Sequence, residues 1–350
     1  MLLVFELSGE HETLPKAEVA GCLRALNIPY TEETNSKGFW VIDADTPPGI
    51  LDTLSKRLGM THCIYKLIGI SKPEEEEIRG LIRNTDITNF IEQGQTFAVR
   101  VRGKKPSALE RGLEGRAGEL IKNRGYEVNL TNPSKTFTLL FTNQTCFFCL
   151  LLHSRAKKQF EGRRPHLRPF FSPGVIMPKF ARALVNLSGV REKELLLDPF
   201  CGTGGILIEA GIIGATVIGI DAQKKMVRGA TQNMEFCRIN GDLIVGDASK
   251  IALRNSSVDA VVTDLPYGRS SLVSGSFRAE SPSLFLEQLY QNALGEIYRV
   301  LKHRGKVVIV FNSPALQSLF RRYNFLIKEK HEYRVHKSLD RYITVLEKES

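Results

Sequence analysis

The stretch from Leu195 to Ile213 restricts the possible folds of this chain more than any other. Leu195-Leu196-Leu197-Asp198 is a short apolar run closed by an acid, Pro199-Phe200-Cys201-Gly202-Thr203-Gly204-Gly205 is a glycine turn, and Ile206 to Ile213 is an apolar helical stretch. A strand that feeds a glycine turn opening a helix marks a nucleotide-binding crevice in an open α/β sheet. Glycines suit such a turn because they lack a Cβ, accept positive φ and let backbone approach a ligand closely. The spacing is not the G-x-G-x-x-G dinucleotide fingerprint, and no G-K-[ST] follows for a P-loop.

Three further strands repeat the theme of an acid at the end. Thr216 to Ile220 ends at Asp221, placed to accept hydrogen bonds from ribose hydroxyls. Leu243-Ile244-Val245 ends at Gly246-Asp247-Ala248, where the acid is a plausible adenine-edge contact. Ala260-Val261-Val262-Thr263 ends at Asp264-Leu265-Pro266-Tyr267-Gly268. Singly, each acid reads as a helix cap or turn residue; a set at successive strand ends reads as a site. The last segment suits methylation of an exocyclic amino group on a base. That nitrogen is a poor nucleophile because its lone pair is delocalised into the ring. Asp264 and the Leu265 carbonyl can accept from its N–H groups, and Tyr267 offers a flat face for the base.

In order, Asp198-Pro-Phe-Cys-Gly-Thr-Gly, Asp221, Asp247 and Asp264-Leu-Pro-Tyr resemble the S-adenosylmethionine and catalytic motifs of class I amino-methyltransferases. The resemblance is strongest to tRNA (guanine-N2) methyltransferases with a THUMP domain, in particular the archaeal guanine-10 dimethyltransferases, over about residues 70–350 firmly and the first 70 loosely. It implies S-adenosyl-L-methionine as cofactor, held by Pro173, Asp198, Phe200, Gly202, Thr203, Gly204, Asp221, Asp247, Ala248 and Asp264. It implies Asp264, Leu265, Pro266 and Tyr267 as the catalytic set. The family pattern usually reads Asp-Pro-Pro-Tyr; Leu265 keeps the backbone carbonyl but gives up the rigidity of proline.

Composition narrows the partners. Of 350 residues, 42% are hydrophobic, enough for a sizeable core in two or three domains, and the formal net charge of +10 favours a polyanion. The longest apolar run, Cys146 to Leu152, falls far short of the ~18 residues of a membrane span. The start, Met1-Leu-Leu-Val-Phe-Glu-Leu, has no basic leader and reads as a strand. Six cysteines without regular spacing fit a reducing, cytoplasmic setting. Cys146-Phe-Phe-Cys149 reads as core and not as a metal pair, since strand positions three apart face opposite sides and no second pair accompanies it. No metal is expected. Because Pro266 is followed by Tyr267, a nucleophilic cysteine next to the proline is also absent.

Residues 1–72 read β-α-β-β-α-β, a ferredoxin-like domain. Residues 73–154 carry an acidic helix start at Glu74–Glu77, an Arg-rich strand at Thr96–Arg102, a helix over about 109–123, and a Val128-Asn-Leu-Thr-Asn-Pro133 turn. This order resembles a THUMP domain, which implies binding to the acceptor end of tRNA. Arg100, Arg102, Lys104 and Lys105 are candidate phosphate contacts. A basic linker, 155–171, adds Arg155, Lys157, Lys158, Arg163, Arg164 and Arg168. Residues 172–350 alternate strand and helix, a doubly wound sheet closed by an antiparallel hairpin at 326–334 and 341–347.

The expectation is therefore an α/β protein whose class I (Rossmann-like) methyltransferase domain follows ferredoxin-like and THUMP α+β domains. It would place one or two methyl groups on N2 of a tRNA guanosine, at position 10, as a monomer, with a small activating protein partner left open. Alternatives are another tRNA position such as 6, rRNA, an adenine-N6 DNA methyltransferase, or a non-catalytic RNA-binding protein.

Overall fold

The computed structural model describes residues 1–36, 38–104, 112–156, 158–266, 282–313, 316–336 and 339–349. They form two compact units. One gathers Met1–Gly9, Ile28–Ser55 and Thr61–Arg155; the other gathers Glu10–Asn27, Lys56–Met60 and Ala156–Ser350.

The first unit is built on β1 (Leu2–Leu7), β2 (Tyr30–Ser36), β3 (Phe39–Ala44), β4 (Thr61–Ser71), β5 (Thr96–Gly103), β6 (Glu127–Val128), β7 (Lys135–Phe141) and β8 (Cys146–Ser154). All eight strands lie in one sheet of order β2-β3-β1-β4-β8-β7-β5-β6. The sheet is continuous across position 72, because β4 pairs antiparallel with β8, Tyr65 opposite Leu151. Along the chain, α1 (Leu14–Ala25) and α2 (Ile50–Arg57) fall between the first four strands, which keeps the expected element order of residues 1–70. Helices α3 (Glu75–Asn84) and α4 (Leu113–Lys122) bury Ile78, Ile82, Ala117 and Ile121 in one core with Phe97, Phe137 and Phe148. Glu74 to Glu77 open α3, where negative charge meets the positive end of the helix dipole. Part of the helix expected over 109–123 lies outside the described residues.

The two cysteines of β8 behave as strand geometry requires. Cys146 joins the core that contains Phe148 and Leu150, and Cys149 joins the opposite one with Val4, Val41 and Phe147. Both are free and fully buried, and burial pushes the Cys146 thiol up to about 12.

The second unit centres on β9 (Leu195–Asp198), β10 (Thr216–Asp221), β11 (Asp242–Val245), β12 (Val258–Asp264), β13 (Leu301–Phe311), β14 (Phe325–His336) and β15 (Leu339–Lys348). Their order is β11-β10-β9-β12-β13-β15-β14. The first five are parallel and β13, β15 and β14 pair antiparallel. Residues on the central strands alternate between two cores: Leu196, Val262 and Val308 on one face, Leu197, Val261 and Val307 on the other. Helices α5 (Pro178–Ser188), α6 (Gly205–Ile212), α7 (Lys224–Phe236) and α8 (Pro282–Val300) complete the alternation.

The membership of α1 in this unit has a physical cause. Its Glu18 is fully buried and accepts the backbone N–H groups of Gly59 and Met60, each at 2.7 Å, and the Asn186 amide of α5 at 2.9 Å. Gly21 of α1 sits so close to α5 that an added Cβ would lie 2.2 Å from the Asn186 carbonyl oxygen.

Candidate active site

The strand order puts a switch point between β9 and β12: β10 and β11 extend to one side, β13 to the other. Crevices at the carboxyl ends of parallel strands at such a point are where ligands bind in open α/β sheets. Asp198, Asp221 and Asp264 each terminate a strand on that edge, and Asp247 follows the end of β11.

The glycine turn between β9 and α6 takes positive φ at Gly202 (+50°) and Gly204 (+78°). At Gly204 a side chain would also press on Ala230 of α7, whose Cβ is 3.3 Å from where a new Cβ would stand. Asp221 holds the turn from the neighbouring strand: its Oδ2 accepts the Gly202 N–H at 3.0 Å and its Oδ1 the Gln223 N–H at 2.9 Å. Burial raises its pKa. Asp198 is more enclosed. Its Oδ1 accepts the Phe200 N–H at 3.1 Å and the Thr263 hydroxyl at 2.7 Å, which ties the turn to β12. Burial pushes the Asp198 carboxyl up to about 7 against these two hydrogen bonds, and the charges of Asp264 and Asp221 add to the rise. Asp247 accepts the Ser249 N–H at 2.8 Å, with Ala248 buried beneath. Thr203 is buried, Phe200 is half-buried and Pro173 is exposed.

The segment after β12 is fixed at three points. The Leu265 N–H donates to the Val310 carbonyl at 2.9 Å. The Tyr290 hydroxyl donates to the Pro266 carbonyl. Arg341, buried on β15, stands 3.6 Å from Asp264 Oδ2 and donates to the Gly174 carbonyl at 3.1 Å. The first bond depends on having leucine where the family pattern has proline. Proline has no N–H and could not make it, so leucine restores by hydrogen bonding what it lacks in ring constraint. Tyr267 lies outside the described residues.

The basic residues separate into two groups. Lys104, Lys158 and Arg164 are exposed. Arg100 donates to the Leu130 and Val99 carbonyls, and Arg102 pairs with Glu6 at 3.1 Å. Arg155 is half-buried, and its N–H donates to the His62 carbonyl. Arg163 and Arg168, expected on a phosphate-facing surface, are turned inward instead. Arg163 makes a two-pronged pair with Glu209 of α6, which is completely buried and also paired with Arg182 at 2.9 Å. Arg168 is 95% buried, its exposure being 5%. Charge density in the sequence could not show this, because Glu209 lies far along the chain in an apolar helix. Lys105 and Lys157 fall outside the described residues.

Four contributors were not singled out from sequence: Thr263, Tyr290, Arg341 and Asn233. Thr263 carried a signal, as the one hydroxyl in an apolar strand directly before Asp264. Asn233 of α7 is fully buried; its amide donates to the carbonyls of Thr203 and Phe170 and its oxygen accepts the Phe170 N–H. It thereby clamps the end of the linker to the glycine turn. Nothing local in the sequence marks Asn233 or Arg341.

Comparison with known proteins bears on family and fold. The UPF0020 family model, described as RMKL-like, methyltransferase domain, matches residues 165–343. The tRNA (guanine(10)-N2)-dimethyltransferase of Methanothermobacter thermautotrophicus is 35% identical over 99% of this chain and 100% of its own length. The protein of the same name from Methanocaldococcus jannaschii is 30% identical over 99% of this chain and all of its own. Among solved structures, TrmN from Thermus thermophilus superposes with a TM-score of 0.54 at 19% identity, covering 99% of this chain and 100% of that one, a likeness of fold.

Proposed function

The chain belongs to the tRNA (guanine(10)-N2)-dimethyltransferase family, and on that premise we propose that it transfers one or two methyl groups from S-adenosylmethionine to N2 of guanosine 10 in tRNA. One observation carries the reading: Asp264 and the Leu265–Pro266 backbone stand at the end of β12, locked beside the β9 glycine turn through Thr263 and Asp198. Acceptors for an amino group are thus built onto the same edge as a nucleoside crevice.

The residues present suit the cofactor. Asp221 and Asp247 offer carboxylates at the ends of adjacent strands for ribose hydroxyls and an adenine edge, and the glycine turn presents backbone without side chains. S-adenosylmethionine supplies a methyl group on a sulfonium that needs no further activation. The chain's own task is alignment, which can lower a barrier by up to ~7–11 kcal/mol in well-oriented systems. Asp264 and the Leu265 carbonyl accept the two N–H bonds of the guanine amine, which turns the nitrogen lone pair toward the methyl carbon. Arg341, 3.6 Å from Oδ2, sets a positive charge beside the Asp264 carboxylate. As the N–C bond formed and the S–C bond of the sulfonium broke, the amine would lose a proton, for which Asp264 is the adjacent acceptor. The guanine amine faces the minor groove of a stem, so the base is flipped out at a cost of a few kcal/mol.

We assign the tRNA-positioning role to the first unit, with residues 73–154 as its THUMP-like part and the portions of 1–72 that belong to it (Met1–Gly9, Ile28–Ser55 and 61–72) as a ferredoxin-like spacer, and we place the protein in the cytoplasm. No helix among the described residues is long and apolar enough to cross a membrane. Incubation with labelled S-adenosylmethionine and either tRNA or duplex DNA, followed by nucleoside mass spectrometry, tests the reading. N2-methylguanosine from tRNA is expected; N6-methyl-2′-deoxyadenosine from DNA contradicts it.

A further inference from the structure

From Arg168 to Pro173 the linker alternates between two faces. Arg168 is buried and Phe170 and Ser172 are half-buried, whereas Pro169, Phe171 and Pro173 are exposed, as is Leu167 just before them. A period of two is the pattern of an extended chain laid on a surface. The inner row is pinned in place. Arg168 Nε donates to the Arg163 carbonyl at 2.9 Å. The Phe170 ring lies against Gly229 of α7, where an added Cβ would stand 2.0 Å from its Cδ1. The Asn233 side chain accepts the Phe170 N–H and donates to the Phe170 carbonyl, each at 2.9 Å.

The outer row is wholly apolar, with Leu167 50% and Phe171 55% exposed. Prolines at 169 and 173 fix φ on either side of Phe171, so its ring is presented from a backbone with few alternatives. Single exposed apolar residues are ordinary, but a fixed row of them marks an interaction site. This row is one side chain wide and no more than ~25 Å long. That is too little for the ~800 Å² each partner contributes to a stable protein interface. A lone aromatic face suits a flat ligand, and the surrounding charge favours an anionic one. Lys158 and Arg164 are exposed on the same linker, and the chain carries a net +10. A nucleotide combines both properties. The row also lies near the catalytic turn: Gly174 accepts from Arg341 at 3.1 Å, and Arg341 stands 3.6 Å from Asp264 Oδ2. At most ~11 Å of chain separates Phe171 from Gly174.

We propose that Phe171 is a stacking platform for an unstacked base of the tRNA, close to the guanosine held at Asp264. Flipping one base out of a stem leaves its neighbours with uncovered faces. An aromatic ring covers such a face without reading its sequence, because every base has one. The proposal rests on the tRNA-methylation reading above. It gives the linker an apolar part in RNA capture, separate from the charge of Lys158 and Arg164.

Binding of the full chain to tRNA over a salt series separates stacking from charge. Phe171→Ala is expected to weaken tRNA about fivefold or more at every salt concentration. The slope of log affinity against log salt should stay unchanged, since no phosphate contact is lost. Affinity for S-adenosylhomocysteine should stay within twofold, which also reports that the variant is folded. Phe171→Trp is expected to keep wild-type affinity and to add a fluorescent ring at the row. The one natural tryptophan, Trp40, is buried, so the added emission is read against a constant background. Saturable quenching by tRNA, with the midpoint of binding, is the expected signature of stacking. Unchanged tRNA affinity in Phe171→Ala overturns the proposal, as does the absence of quenching in Phe171→Trp. A flattened salt slope overturns it because the contact would then be ionic. An equal loss of S-adenosylhomocysteine overturns it as the sign of a cofactor or folding role. Loss of self-association in Phe171→Ala with tRNA affinity intact would assign the row to a second copy of the chain instead. A wild-type chain that binds no tRNA overturns the function reading itself.

Discussion

Leu265 shows how a departure from a family pattern can be compensated by its surroundings. Its N–H extends the pairing of β12 with β13 by one bond, to a carbonyl on the fully buried Val310. Leu265→Pro would restore the usual tetrapeptide yet leave that carbonyl unpaired. It is expected to lower stability by about 1–3 kcal/mol, the usual cost of orphaning a buried group, readable as a lowered denaturation midpoint; an unchanged midpoint would contradict the assigned role. Asp198 supplies a second residue-scale test. Its carboxyl sits at about 7 in the fold against 3.8 ordinarily, so the native state holds the proton more tightly than the unfolded chain. Without cofactor, stability therefore falls as pH rises from about 4 to about 7 and the buried carboxyl ionises. Asp198→Asn keeps an acceptor for Thr263 and Phe200 and removes the charge. Its stability relative to wild type should rise between pH 5 and pH 8, whereas parallel profiles would show that Asp198 is not the group responsible. The identity of these residues was legible in the sequence, because acids at strand ends advertise themselves. Their partners were not, since Thr263, Val310 and Arg341 meet them only through the sheet.

At the scale of elements, the basic linker divides its labour in a way composition conceals. Eight Lys or Arg from Arg155 to Arg182 look alike in the sequence. In the structure Lys158 and Arg164 are exposed, while Arg163, Arg168 and Arg182 face the interior around Glu209. Salt dependence of tRNA affinity separates them. Each lost phosphate contact flattens the slope of log affinity against log salt by ~0.7–0.9. Replacing Lys104, Lys158 and Arg164 by Ala is expected to flatten it, whereas Arg163→Ala is expected to leave the slope and to destabilise the fold, since Glu209 loses its two-pronged partner. The reverse pattern would return Arg163 to the RNA surface. Strands and helices themselves were largely readable from periodicity, as with β9, β10 and β12, which begin and end within two residues of the expected runs. What periodicity cannot specify is the partner of an element. The apolar spacing of α1 announces a helix, but only the buried carboxylate of Glu18 and the close approach at Gly21 show that it packs on α5.

For the whole molecule this membership changes what counts as the catalytic body. The second unit draws on Glu10–Asn27 and Lys56–Met60 as well as Ala156–Ser350. A fragment beginning at Phe171 retains every cofactor acid yet loses Glu18, the Lys56 and Arg57 carbonyls that accept from Arg182, and Arg163 itself. It is expected to lack a cooperative thermal transition; a sharply melting fragment that binds S-adenosylmethionine would show that those segments are dispensable. The central claim concerns the turn after β12, and single-turnover methyl transfer measures it most directly. With saturating S-adenosylmethionine and tRNA, the wild-type chain should form N2-methylguanosine at position 10. Asp264→Ala should bind both ligands within a few-fold of wild type and transfer at least a hundred times more slowly, a loss of roughly 2.7 kcal/mol or more of transition-state stabilisation. An Asp264→Ala enzyme that methylates guanosine 10 within tenfold of the wild-type rate would contradict the account.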